Sequence, residues 1–75
     1  NWTLMDNKQE KEKLIKWFNQ MREIEQTARD TYFSIASDPR VSDEEVKKVF
    51  REIASDEERH SQIVQKIVNI ITNNL

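Results

Sequence analysis

The 75-residue chain has no Cys, no Gly, one Pro and one His. Without Cys, disulfides, zinc–thiolate sites and iron–sulfur clusters are excluded. The shortage of turn-forming residues argues against an all-β fold. No apolar run approaches the roughly 18 residues of a membrane span and no signal-peptide pattern opens the chain, so a cytoplasmic protein without a membrane partner is expected. Twelve basic and 14 acidic residues are interspersed, which leaves no basic surface for nucleic acid.

The sequence predicts an all-α fold with a single break near its middle. Pro39 cannot continue a helix, and it pushes Asp38 out of the α region. Ser42 can then cap a second helix, with Glu45 at its third position and further acids at the positive end of the helix dipole. A corner this short makes the two helices antiparallel neighbours. The predicted domain is one hairpin over 1–75, with helices over about 7–37 and 43–73.

Apolar residues recur in both helices with alternating steps of three and four, the a/d pattern of helices packed at a shallow angle. The predicted a/d positions of the first helix are Leu14, Phe18, Met21, Glu25, Ala28, Tyr32 and Ile35. Those of the second helix are Val46, Phe50, Ile53, Glu57, His60, Val64, Ile67 and Ile71. Further apolar residues widen both faces beyond what a lone hairpin can shield, since ordering the chain costs roughly 1.5 kcal/mol per residue. We therefore expect a homodimer, two hairpins forming a four-helix bundle, unless flanking sequence of a larger protein supplies the other helices.

Three polar residues interrupt these apolar positions: Glu25 in the first helix, and Glu57 and His60 in the second. Reflecting the hairpin about residue 41 places Glu25 opposite Glu57, one turn from His60. Facing carboxylates in a core need a positive partner, and no Lys or Arg lies at the predicted a/d positions. Carboxylate and imidazole ligands together suit iron, manganese or zinc. The competing hypothesis is a polar layer that only fixes helix register.

Dimerisation would double the number of candidate ligands in this polar layer. A two-fold axis doubles the set to four Glu and two His, the ligands of di-iron and di-manganese carboxylate bundles. Four carboxylates balance the charge of two divalent ions. Two divalent metal ions per dimer are therefore expected, and the ligand types leave iron, manganese and zinc open.

Two segments resemble the rubrerythrin and ferritin-like superfamily. The stretch from Glu25 to Tyr32 resembles the Glu-x6-Tyr segment of the first rubrerythrin helix. The stretch Asp56-Glu57-x-x-His60 resembles the iron-binding helices of the family. Because the family carries four helices in one chain, this chain looks like a half-ferritin that dimerises, similar to encapsulated ferritins and other short ferritin-like proteins. Assembly beyond the dimer is left open.

The resemblance implies roles for five residues. Glu25, Glu57 and His60 would be metal ligands, and Glu57 would be the bridging carboxylate and a catalytic residue. Tyr32 would be the other catalytic residue, a hydrogen-bond donor beside the ligands. Asp56 would orient His60 of the partner subunit. The implied activity is that of a ferroxidase or peroxidase-type oxidoreductase, oxidising Fe(II) or reducing peroxide or dioxygen.

Departures from the family pattern leave a second hypothesis open. A rubredoxin-type Cys set is absent, and the extra Glu that rubrerythrins use in peroxide reduction has no counterpart. The alternative is a non-catalytic, metal-stabilised helical dimerisation module, or a domain of a larger protein. Among the remaining charged residues, Arg29 and Arg59 are expected in surface ion pairs. Glu58 is expected to be solvated.

Overall fold

The computed structural model describes residues 4–74, with side chains for residues 8–73. It contains two α-helices, α1 Leu4–Ser37 and α2 Glu44–Asn74, which pack side by side as a rod of 57 × 17 × 15 Å. The all-α class and the packed helix pair are confirmed. Helix α1 begins three residues before the expected start near residue 7. Neither helix has the length and apolar character needed to cross a membrane, within the part of the chain that the structure describes.

The corner between the helices is stabilised by Asp38. Its backbone N–H donates to the Ile35 carbonyl at 3.2 Å, which closes the last turn of α1. Its carboxylate accepts a hydrogen bond from the Arg40 backbone N–H at 2.8 Å and from Arg40 Nη2 at 2.6 Å. These contacts with Arg40 hold the pKa of Asp38 below its usual range. With Pro39 preventing further helix, the chain reverses within a few residues.

The cap of α2 differs from the expectation. The backbone N–H of Val46 donates to Asp43 Oδ1 at 3.0 Å, so Asp43 and not Ser42 is the N-cap residue. The third helical position is then Val46, and the predicted capping box between Ser42 and Glu45 is wrong. An ionised Asp at the N-cap also interacts favourably with the helix dipole.

The helix contact is built mainly from small and β-branched side chains. The buried side chains are Ala36 on α1, and Ala54, Ser61, Val64, Val68 and Ile71 on α2. The small residues allow the helix backbones to approach closely. Val64 and Ile71 lie where their a/d spacing predicts, whereas Met21, Val46 and His60 are exposed. The contact is therefore rotated about each helix axis relative to the predicted a/d positions.

One side of the hairpin remains apolar and exposed. Its exposed large side chains are Trp17, Met21 and Ile24 on α1, and Val46, Val49, Ile63 and Ile70 on α2. Their spacing of three, four and seven residues places each set on one side of its helix. Because the helices are antiparallel, both sets lie on the same side of the hairpin. We call this surface the open apolar face.

Candidate metal centre

Glu25 of α1 meets Glu57 and His60 of α2 at mid-height of the hairpin. One ligand atom from each residue lies within 4.8 Å of the others. His60 Nδ1 is 3.7 Å from Glu25 Oε2 and 3.7 Å from Glu57 Oε1. Such distances are too long for hydrogen bonds. They match the roughly 3–4 Å that separates two atoms bound at about 2.1 Å from one ion.

The electrostatics of the cluster favour a cation between the carboxyl groups. Glu25 Oε2 is buried and has no hydrogen-bond partner among the described residues. The pKa of Glu57 is raised above its usual range, first by a hydrogen bond with Glu25 that requires a proton, then by burial and by the negative charge of Glu25. A divalent ion would replace that proton and give Glu25 Oε2 a partner. The donor set therefore fits a transition-metal ion.

The cluster opens toward the open apolar face. Glu25 and Glu57 are half-buried, while the side chain of His60 is 46% exposed. Three protein ligands leave coordination positions free on an iron or manganese ion, which prefers more than three. The exposed side is where further ligands can reach the ion.

Tyr32 and Asp56, the two predicted supporting residues, lie near the cluster in different surroundings. The ring of Tyr32 stacks on Phe50, with centroids 5.9 Å apart and planes inclined by 28°. Its hydroxyl forms no hydrogen bond with the described residues. The exposed Asp56 carboxylate lies 3.4 Å from Arg59 Nη2 on its own helix. The structure brings neither residue onto a ligand of its own chain, so both roles stay predictions.

The match to known families agrees with the chemistry of this cluster. The family model described as Rubrerythrin matches residues 22–75, a segment that includes Glu25, Glu57 and His60. This chain belongs to the rubrerythrin family. Comparison with curated protein sequences and with solved structures gives no match. Membership in the rubrerythrin family supports a di-iron carboxylate type of site, because the three candidate ligands all fall within the matched segment.

In this rubrerythrin-family hairpin, an ion pair joins the two helices beside the cluster. Arg29 of α1 donates through Nη1 to Glu58 Oε2 of α2, and through Nε to Asp30 Oδ1 at 2.9 Å. The bond with Arg29 lowers the pKa of Glu58, whose side chain is paired across the helices and still 41% exposed. The pair lies on the side of the hairpin away from the open apolar face. It ties the helices together at the height of the candidate ligands.

Arg22 is a cation of the helix contact that the a/d spacing does not reveal. It lies one turn before Glu25, is half-buried, and its Nε is buried without a hydrogen-bond partner among the described residues. Arg22 lies outside the predicted a/d positions, which hold no Lys or Arg. The rotation of the contact explains this result, since it brings both Arg22 and Arg29 toward α2. A helical wheel centred on Ala36 instead of Met21 would have identified them.

Proposed function

We propose that two copies of this chain form a half-ferritin dimer that holds two iron ions and oxidises Fe(II) or reduces peroxide or dioxygen. The convergence of Glu25, Glu57 and His60 within 4.8 Å is the observation that carries this proposal. One copy supplies two carboxylates and one imidazole. Two copies supply four carboxylates and two imidazoles, which is the ligand set of di-iron and di-manganese carboxylate bundles.

Charge balance supports two ions per dimer. Four carboxylates neutralise two divalent ions, so the filled site carries no net charge in the bundle core. Family membership favours iron. The ligand types also accept manganese or zinc. When bound, iron supplies the electron transfer, and the protein supplies ligands, their orientation and a site shielded from water.

The chain's own residues take distinct parts in this proposal. Glu57 would be the carboxylate that bridges two ions, the part that the resemblance to the family implies for it, and its position beside Glu25 and His60 is compatible with that part. Tyr32 is placed two turns after Glu25 on the same face of α1, where its hydroxyl can donate to a ligand carboxylate. Asp56 would accept a hydrogen bond from the second ring nitrogen of the partner's His60 and so hold the imidazole in its binding orientation.

The activity is tested by mixing anaerobic protein with Fe(II), admitting air and following near-ultraviolet absorbance. We expect the wild-type protein to oxidise Fe(II) faster than buffer, and Glu57→Ala to lower that rate at least about tenfold. Glu12→Ala is the matched control, because it removes an exposed carboxylate of α1 far from the cluster. A wild-type rate equal to that of buffer, or equal effects of the two substitutions, would contradict the activity.

The raised pKa of Glu57 favours one alternative, a polar layer without catalysis. A proton between the carboxyl groups of Glu25 and Glu57 would reduce their repulsion in the absence of metal. Such a layer, with or without a bound ion, would serve to set helix register in a dimerisation module. Elemental analysis combined with solution mass distinguishes the cases. A dimer that takes up no iron after anaerobic loading supports the polar layer, and a metal-bound dimer that dissociates on chelation supports a structural metal.

A further inference from the structure

Arg22 is a cation of the helix contact that the candidate metal centre does not use. Its Nε is buried, and its guanidinium forms no hydrogen bond or ion pair with the described residues. Glu25 Oε2 is the other buried side-chain atom without a partner in the described part of the chain, and the proposed metal accounts for it. A half-buried guanidinium carries a permanent positive charge and five N–H donors, so it requires an acceptor.

The register of the two helices places polar residues of α2 beside Arg22. Arg29 of α1 is bonded to Glu58 of α2. Seven residues are close to two helical turns, so seven positions back on α1 and seven forward on α2 lead to Arg22 and Gln65 on the same side of the antiparallel pair. Two further polar residues lie three positions from the ion pair, one on each helix. We call the resulting group the Arg22 cluster, with two residues from each helix: Arg22, Gln26, Ser61 and Gln65.

The Arg22 cluster contains hydrogen-bond donors from both helices and no carboxylate. Ser61 is only 4% exposed, and its hydroxyl forms no hydrogen bond with the described residues. Gln65 donates one amide N–H to Asn69 Oδ1 at 2.9 Å, which leaves its second N–H available. Gln26 is half-buried, and its amide has no partner within the described ranges. Four side chains therefore present donors around one positive charge.

The nearest acidic residues are engaged elsewhere. Glu58 accepts a hydrogen bond from Arg29, and Glu25 belongs to the candidate metal centre with Glu57. The cluster lies on the side of the hairpin away from the open apolar face, so the dimer of the proposed function leaves it accessible to solvent. An acceptor for the Arg22 guanidinium must therefore come from solution.

We propose that the Arg22 cluster binds a tetrahedral oxyanion of the phosphate type. The Arg22 guanidinium holds two of its oxygens through paired N–H donors, the geometry in which arginine binds phosphate. The Ser61 hydroxyl and the two glutamine amides donate to the other oxygens. A carboxylate, with two oxygens in one plane, satisfies fewer of these donors. The site lies one helical turn from Glu25 and does not depend on the proposed function.

Phosphate titration of the full chain, prepared without added metal and followed by NMR of the arginine Nε–H groups, tests the site directly. Ionic strength is held constant with sodium chloride, because salt screens non-specific attraction. We expect the Arg22 signal to shift and saturate in the millimolar range, and the signals of the exposed Arg51 and Arg59 to shift little and without saturation. An Arg22 signal that stays in place up to about 50 mM phosphate, as it would if Arg22 paired with Glu25 in solution, overturns the site.

Three substitutions assign the binding, which is followed in the variants through the backbone N–H signals of Gln26 and Gln65. Arg22→Gln should weaken phosphate binding at least about tenfold, because it removes the charge and the paired donors together. Ser61→Ala should weaken it about threefold through the loss of one neutral hydrogen bond, and it keeps a small side chain in the helix contact. Arg51→Gln is the matched control, because it removes the same charge from an exposed position of α2. It should change the affinity by less than about twofold.

The remaining outcomes separate a specific site from general attraction to positive charge. Equal losses for Arg22→Gln and Arg51→Gln overturn the site. Acetate that binds as tightly as phosphate at the same ionic strength overturns the tetrahedral class. If Arg22→Gln does not fold, Ser61→Ala decides, because an unchanged affinity contradicts a site built from both helices. Iron uptake, measured on separate samples, reports on the proposed function alone.

Discussion

Glu57 occupies a position where its charge is unfavourable unless a cation is present. It shares its surroundings with the half-buried Glu25, whose Oε2 has no hydrogen-bond partner within the described residues. Among the cations nearby, Arg29 is paired with Glu58 and Asp30. The half-buried Arg22 has no hydrogen-bond partner at Nε among the described residues. The hydrogen bond with Glu25, burial and the negative charge of Glu25 accordingly raise the pKa of Glu57.

This raised pKa predicts how the metal-free protein responds to pH. The folded state holds the Glu57 proton more tightly than the unfolded chain, whose pKa is the ordinary 4.5. Raising the pH from about 4 through the raised pKa therefore destabilises the fold. Glu57→Gln removes this effect. In the presence of a chelator we expect the Tm of the variant, relative to wild type, to increase with pH.

The comparison between variant and wild type isolates the contribution of Glu57. The lowered pKa values of Glu58 and Asp38 act in the opposite direction, because their stabilisation is lost as the pH falls, but both groups are present in both proteins. Glu12→Gln is the matched control and should give a difference in Tm that is independent of pH. A difference in Tm between Glu57→Gln and wild type that is independent of pH would show that folding does not raise the pKa of Glu57.

At the scale of the elements, side-chain contacts determine where α2 begins and how the two helices face each other. Ser42 and Asp43 are adjacent residues of cap-forming type. The corner, closed by Asp38 and Arg40, places Asp43 where its carboxylate reaches the Val46 N–H. Ala54 and Ser61 of α2 are small and are buried in the contact between the helices.

The cap assignment predicts unequal effects of two neighbouring substitutions. Asp43→Ala leaves the Val46 N–H without its acceptor and should lower the free energy of unfolding by about 1 kcal/mol. Ser42→Ala should change it by less than about 0.5 kcal/mol, as for ordinary exposed positions. Urea unfolding of both variants measures the difference. A larger decrease in the free energy of unfolding for Ser42→Ala than for Asp43→Ala would identify Ser42 as the N-cap residue.

At the scale of the whole molecule, the open apolar face is the side of the hairpin that the described residues do not cover. The Arg29–Glu58 pair closes the opposite side, and His60 faces the open apolar face. A row of exposed Val and Ile residues is unfavourable in water, by roughly 25 cal/mol per Å² of apolar surface. The proposed dimer buries this surface and completes the candidate metal site by the same contact.

Two equally exposed apolar residues test which side is covered. Ile70 belongs to the open apolar face, and Phe33 lies in a separate groove with Arg29 and Arg51; each is 57% exposed in the single hairpin. Ile70→Glu should raise the dimer dissociation constant at least about tenfold, because the charge enters the interface twice. Phe33→Glu should leave it unchanged. Sedimentation over a range of concentrations measures both, and the reverse ranking would place the interface on the other side.

Periodicity accounts for the features that the sequence predicts correctly. A single Pro39 within long helical patterning requires one corner and two helices, and antiparallel packing then brings residues equally far from the corner together. The level of Glu25, Glu57 and His60 follows from that geometry alone. The charged contacts of Arg22, Arg29 and Glu58 do not, because the rotation of a helix about its axis depends on which side chains fill the contact.

The sequence by itself determined the fold class, the place of the corner and the common height of Glu25, Glu57 and His60, because helix period and chain reversal are local properties. Tertiary structure decided the N-cap of α2, the rotation that buries Ala54 and Ser61, and the side on which His60 is exposed. These features depend on competition between side chains for one contact surface. Only close packing of the two helices resolves that competition.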